Sequence, residues 1–324
     1  MPTDSKTADL GGIDLIKLAM AYCVVAIHAE SWRITAAPGW PLPVEWVIRM
    51  GVPFFFMATG FFTAGELERK PDRRAVLMKH SRRRFVLFLK WVAIYVPAVI
   101  ATEAVTHCEP IEEIAVRFFL SGSFGIAMFL WFICSTAVVF LLAGLACRFR
   151  GGLLTLAVLF ILAYFAGWAG NNIEGAYNMY VDALCTGAFR GGIYMAAGAA
   201  VYRFRDLIRR RRAVIISALL VVSAMLFFHK LPLGELCGGA ALLVAGLTAK
   251  LRPSPLYIKA RRLSAWIYFT HGYWMAIALI AAHLTGMALF PVKNMVFMAA
   301  GATATSLLIM HAARRRPRLA ALIR

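Results

Sequence analysis

The chain has 324 residues, 61% of them hydrophobic and only 16% charged, with a mean hydropathy of +0.72. One water-soluble core cannot bury that much apolar surface, so the composition excludes an ordinary soluble enzyme and implies an all-α polytopic membrane protein. The formal net charge of +19 would suit a nucleic-acid binder, yet the bases fall in short runs between apolar stretches, as in "RKPDRRAVLMKHSRRR", without interleaved stacking aromatics; no nucleic-acid partner is expected.

The first residues, "MPTDSKTADLGGID", lack the basic region that opens a signal peptide, so the apolar stretch after them is expected to be retained. Ten stretches are long enough to cross a hydrocarbon core of about 30 Å at about 1.5 Å of rise per residue. They run over 12–33, 43–65, 84–106, 126–147, 152–169, 183–203, 213–229, 233–250, 264–285 and 291–312, the fifth, seventh and eighth being short. With the N-terminus inside, the inner segments hold 27 of the 35 lysines and arginines, whereas the loops 107–113 and 170–182 carry acid and neither Lys nor Arg. This bias places both termini in the cytoplasm. The six cysteines form no C-x-x-C pair and lie mostly in apolar stretches, so they read as packing residues, with no metal site. No repeat or second soluble domain is visible, and residues 1–324 read as a single membrane domain.

Four basic residues fall inside the stretches themselves: Lys17, Arg49, Lys90 and Arg190. Each costs about 2.5 to 3.5 kcal/mol on insertion scales, so such residues usually face a polar interior that uses them. Counted from the ends of their stretches, His28, Arg49 and Arg190 all lie about 7 to 11 Å below the outer boundary, in one layer. Lys17, Lys90 and His271 form a second layer near the cytoplasmic side. The eleven residues from Lys17 to His28 make three turns plus about 20°, so both point from one helix face, about 16 Å apart. That face describes a path through the protein, with entry near the inside and chemistry nearer the outside.

Plainer readings stand beside this one. Lys17 and Lys90 are near enough to the inner boundary to snorkel, and His28 or His271 could be a hydrogen-bonding group between helices. Arg49 has Glu45 four residues earlier as a local ion-pair partner; Arg190 has no carboxylate at that spacing. The basic loops suit topology and anionic lipid, and could also gather a phosphate-bearing substrate.

The strings "IDLIKLAMAYCVVAIHAE", "RMGVPFFFMATGFF", "LWF" at Leu130 to Phe132, "FRGGIYMAAGAAVYRFR" and "SAWIYFTH" stand in an order and spacing that resembles the acyltransferase-3 family of integral membrane acyltransferases. The resemblance covers essentially the whole chain and is strongest in the first 65 residues. It implies transfer of an acyl group, usually acetyl from cytosolic acetyl-CoA as co-substrate, to a hydroxyl of a glycan or lipid-linked sugar at the outer face of a bacterial cytoplasmic membrane. The family's basic residue and histidine fall on Lys17 and His28, its second-span arginine on Arg49, and its small hydroxyl before glycine on Thr59 and Gly60. The chain departs from the pattern in having Lys17 where Arg is commoner, Thr59 where Ser is usual, and Phe129 where relatives often have histidine. It also stops without the hydrolase-like domain that some relatives append, so it is expected to finish its reaction alone or with a partner.

On this resemblance His28 is the expected general base toward the acceptor hydroxyl, an acyl-histidine route being the open alternative. Arg49 and Arg190 would stabilise the oxyanion or hold an acceptor phosphate. Asp14, Lys17, Glu45, Thr59, Trp131 and His271 are assigned to substrate contacts, with Asp14 steadying Lys17. The rival reading is a transporter or flippase of an anionic amphiphile, which would also place cations at two depths, although no matched halves appear. A sensor or partner-binding membrane domain is a third.

Overall fold

The computed structural model describes residues 10–30, 39–107, 110–173, 185–231, 233–287 and 289–323. Lys6, Arg324 and the loop residues 174–182, which enter the charge bias above, lie outside the described residues. Among the described residues there are helices and turns but no β-strand. Seven helical segments are long and apolar enough to cross a membrane: Gly11–Ala29, Leu42–Arg69, Arg73–Thr106, Ile111–Ala146, Gly152–Ala169, Pro255–Thr285 and Pro291–Arg315. The protein is therefore a multi-pass helical membrane protein.

Three of the ten expected stretches differ. Arg212–Phe228 and Gly234–Thr248 are apolar but have only 17 and 15 residues, about 26 and 23 Å. The sixth stretch enters the described residues at 185 and becomes a regular helix only at Arg190, after an irregular turn in which Gly187 leaves helical geometry. Helix starts also differ. Arg73–Thr106 begins eleven residues before the expected 84, and Pro255–Thr285 nine before the expected 264. Apolar windows mark only the part of a helix that suits hydrocarbon, whereas hydrogen bonding continues to the nearest cap. Here Asp72 accepts from the Ala75 amide at 2.8 Å, and Ser254 accepts from Leu256 at 3.2 Å with Pro255 as first helical residue.

The chain divides into two compact units, Met1–Phe55 with Phe204–Ile323, and Phe56–Arg203. The first contains α1 (Gly11–Ala29), α2 (Leu42–Arg49), the start of α3 (Gly51–Arg69), α9 (Arg205–Arg210), α10 (Arg212–Phe228), α11 (Gly234–Thr248), α12 (Pro255–Thr285) and α13 (Pro291–Arg315). Side-chain pairs between helices give the directions. Asp14 meets Arg261 and His28 meets His271, so α1 and α12 run parallel. Asn294 bonds Ala29 and Thr303 bonds Tyr22, so α13 runs against α1. Gly12 meets Ala249 while Gly246 meets Ile13 and Ile16, so α11 also opposes α1, and the Ser223 bond to the Gly234 carbonyl closes the turn that sets α10 parallel to α1. At one end of this unit α1, α10 and α12 begin; we call it the foot. At the other end stand His28 and Asn294.

The second unit contains the rest of α3, α4 (Arg73–Thr106), α5 (Ile111–Ser121), a 3₁₀ turn at Gly125–Leu130, α6 (Trp131–Ala146), α7 (Gly152–Ile173) and α8 (Arg190–Arg203). Its tightest crossing joins α3 to α8. A methyl group at Gly60 would run into the Met195 carbonyl, and one at Gly198 into the Met57 carbonyl. Helices in hydrocarbon gain little from the hydrophobic effect and associate where small residues let backbones approach, and this reciprocal pair does that. Gly60, read from sequence as part of a site motif, is thus also a packing position.

Gly60→Ala and Gly198→Ala should each cost about 1 to 3 kcal/mol, because the obstructing atoms are backbone and cannot rotate away. Thermal unfolding of detergent-solubilised protein should show a lowered Tm for both. An unchanged Tm would mean that the two helices do not approach this closely.

Candidate functional site

Helix α1 carries two of the expected residues and owes its length to an unbroken run free of proline. Its last turn ends with carbonyls that the helix itself cannot satisfy. Two distant side chains take them up: the Trp40 indole donates to the Ala26 carbonyl at 3.1 Å and Asn294 donates Nδ2–H to the Ala29 carbonyl at 3.1 Å. Glu30, just past the helix, accepts from the Trp40 backbone amide at 2.9 Å. His28 sits between these anchors, half-buried.

Its ring faces His271 of α12, the centroids 5.3 Å apart and the planes tilted by 31°. His271 is fully buried, with Tyr268 6.1 Å away. Its Nδ1–H donates to the Ile267 carbonyl at 3.1 Å, since a carbonyl can only accept, so that in the neutral ring Nε2 carries the lone pair. This corrects the expected layering: His271 stands beside His28 and not in the inner layer with Lys17. The error came from counting depth from residue 264 when α12 begins at Pro255. Two contacts tie α12 to α13 at this level, and a third ties α13 to α1. Thr270 lies 3.2 Å from Ser306, Trp274 donates to Thr305 at 3.1 Å, and Tyr22 of α1 lies 2.8 Å from Thr303.

At the foot of the same helix, Asp14 is 2% exposed and accepts from two guanidinium nitrogens of Arg261, Nε at 2.9 Å to Oδ1 and 3.0 Å to Oδ2, and Nη2 at 2.6 Å to Oδ2. Sequence reading assigned Asp14 to Lys17 three residues on; the partner found here lies 247 residues away. Lys17 is half-buried on the same helix.

Arg49 ends α2, and its Nε donates to Glu45 at 2.6 Å, the local pair that the spacing suggested. A second carboxylate, Glu235 of α11, lies 3.8 Å away. Trp46 anchors this short helix by donating to Ser223 at 3.0 Å. Gly51 packs against Met20, Cys23 and Val24, which places the Arg49 end of α2 near the level of the turn below His28.

In the other unit Arg190 is the first residue of regular α8. Its Nε donates to the Tyr194 hydroxyl at 3.0 Å and its guanidinium lies 5.8 Å over that buried ring. A cation at a helix N-terminus opposes the macrodipole, so its presence there is better suited to holding an anion than to stabilising the helix. Ser135 holds the preceding break by donating to the Gly187 carbonyl at 2.9 Å. Trp131 opens α6 and lies 5.6 Å from Phe56, which in turn lies 6.1 Å from Tyr194. Thr59 follows on α3, half-buried, one residue before the tight crossing at Gly60.

The residues missed by sequence reading are Arg261, Trp40, Asn294, Tyr268 and Glu235. Arg261, Asn294 and Glu235 act across long separations in the chain, Trp40 across 10 and 14 residues, and Tyr268 on His271 three positions on. Only the polar interruption of an apolar run at Asn294 hinted at any of them.

A family model described as "Acyltransferase domain", acyltransferase family 3, matches residues 10–313. The chain is also 26% identical to a protein named amino-acid racemase from Enterococcus faecalis, over 59% of this chain and 29% of that protein. It thus spans less than a third of that relative's length. No solved structure matches the chain.

The Asp14–Arg261 pair yields a test. Removing the guanidinium leaves a buried carboxylate without it, so Arg261→Ala should lower stability by about 2 kcal/mol, discounted for the half-exposed arginine. Combining it with Asp14→Ala should recover part of that loss. A double-mutant cycle on unfolding in detergent reads the coupling, and additive losses would exclude it.

Proposed function

Because the chain belongs to the acyltransferase-3 family, whose model covers nearly all of it, we propose that it carries an acyl group, usually acetyl, from cytosolic acyl-CoA to a hydroxyl of a glycan or lipid-linked sugar at the outer face. In this reading residues 1–324 act as one membrane domain crossing ten times, the two short helices packed within the protein, with both termini cytoplasmic in a bacterial inner membrane. The racemase name is not carried over, since the likeness touches only 29% of that protein.

The observation that supports the reading best is the imidazole pair. His28 and His271 come from parallel helices of one unit and meet 5.3 Å apart at the end opposite the helix starts. Imidazole can accept a proton as the acceptor hydroxyl attacks the thioester carbonyl, the new ester forming as the thiolate leaves and is protonated. His28, half-buried, takes the base's role; His271, locked by the Ile267 carbonyl, holds the first ring in place and offers a second lone pair. Arg49 and Arg190 would offer positive charge to a developing oxyanion or an acceptor phosphate. Thr59, Trp131 and Glu45 are assigned to acceptor contacts, and Lys17 to the passage of the donor.

His28→Ala should lower acyl transfer by about 10²- to 10⁴-fold while leaving the fold intact. The assay follows radiolabelled acetyl from acetyl-CoA into membrane glycan, with folding checked by monodispersity in detergent. Transport of an anionic amphiphile with no dependence on CoA would instead favour the flippase reading.

A further inference from the structure

A cavity of about 840 Å³ opens at the foot of the first unit, lined by Arg209 and Arg210 of α9, Arg212 at the start of α10, and the 247–253 segment with Lys250 and Arg252. Its size falls within the range of small-molecule sites, roughly 300 to 1,000 Å³. No acidic residue lines it, and among the described residues none of the five cations has a carboxylate partner. Five like charges around one hollow repel each other, so the arrangement draws in compensating anions. Two further features sharpen this. Arg212 reaches the Thr248 carbonyl at 3.4 Å, tying the two basic segments together across the hollow. The first turn of α10 has no side-chain cap, so its backbone amides add positive potential on the same side.

The cavity's position narrows the occupant. Its lining residue Ala249 packs against Gly12 in the first turn of α1, two residues from Asp14. From Gly12 to His28 the helix rises through sixteen residues, about 24 Å. A ligand held here and reacting at His28 must carry its phosphates at one end and its reactive group at the end of a long thin arm. Acyl-CoA has that shape. An anionic lipid would also satisfy the cations, but its chains belong in the bilayer and make no use of a hollow this large.

We propose that Arg209, Arg210, Arg212, Lys250 and Arg252 form the cradle for the nucleotide phosphates of the acyl-CoA donor, an assignment that rests on the acyltransferase reading above. The test uses the full chain in nanodiscs of zwitterionic lipid, with coenzyme A as probe. Arg209→Gln with Arg252→Gln should weaken CoA binding about tenfold or more. Arg314→Gln with Arg315→Gln, which removes the same charge elsewhere, should change it little. The first variant should also raise KM for acetyl-CoA with kcat largely kept, and pantetheine, which has no phosphate, should not distinguish the two. Equal CoA affinity in both variants overturns the assignment. So does loss of phosphatidylglycerol retention, read by native mass spectrometry, with CoA affinity unchanged, because the hollow is then a lipid site. A wild type that transfers acetyl while the first variant keeps its CoA affinity removes this cradle and leaves the enzyme reading standing. A wild type that neither binds CoA nor transfers acetyl from it removes the donor reading itself.

Discussion

The two-pronged bond between Arg261 and the buried Asp14 sets the register on which the first unit depends. An ionised carboxylate in an apolar surrounding needs a partner, and a guanidinium fork satisfies both oxygens at once. The bond fixes where α12 stands along α1. From Asp14 the first helix climbs fourteen residues to His28, about 21 Å, while α12 climbs ten from Arg261 to His271, about 15 Å. The reach of the arginine side chain and the relative tilt of the helices take up the difference. A slip of one turn, about 5.4 Å, would part rings whose centroids stand 5.3 Å apart.

Close packing then holds that register through the unit. Gly12 and Gly246 bring α1 and α11 together, and Gly238 and Gly239 admit Met50 and Phe54 where α2 gives way to α3. Van der Waals contact and interhelical hydrogen bonds supply most of the association when the surroundings are lipid. The hydroxyl and indole bonds of Thr270, Tyr22 and Trp274 to α13 serve that end. Trp40 and Asn294 complete it by closing the frayed carbonyls around His28, so the turn bearing the candidate base is held from two sides.

Much of this was legible in single helices and little of it between them. The bounds of α1, expected over 12–33 and found over Gly11–Ala29, follow from one apolar run. The Arg49–Glu45 pair follows from a spacing of four on one helix face. The partners of Asp14 and Ala29 lie 247 and 265 residues away, where no local period reaches. The level of His271 was misjudged for a different reason. Hydropathy reports where a helix suits hydrocarbon, and α12 continues for nine residues on the polar side of that boundary until Ser254 and Pro255 end it. The starts of two apolar windows therefore need not stand at one level: Arg261, three residues before the window of α12, pairs with Asp14, two residues inside that of α1.

The distribution of charge along the first unit follows from the same constraint. Inside the foot the buried Asp14 is matched by Arg261, and higher up Arg49 is matched by Glu45 and Glu235. At the foot the five cations around the hollow have no carboxylate among the described residues. Exposed charges at the membrane edge remain hydrated and can be left uncompensated at little cost, whereas charges deeper in the unit require partners. The unit is consequently attractive to a polyanion at one end and balanced at the end where the imidazoles meet. On the reading proposed above, that asymmetry would suit a donor bound through its phosphates far from the reacting bond. On the same reading, the thioester would then meet the acceptor hydroxyl beside the paired imidazoles, where Arg49 is already held by Glu45 and Glu235.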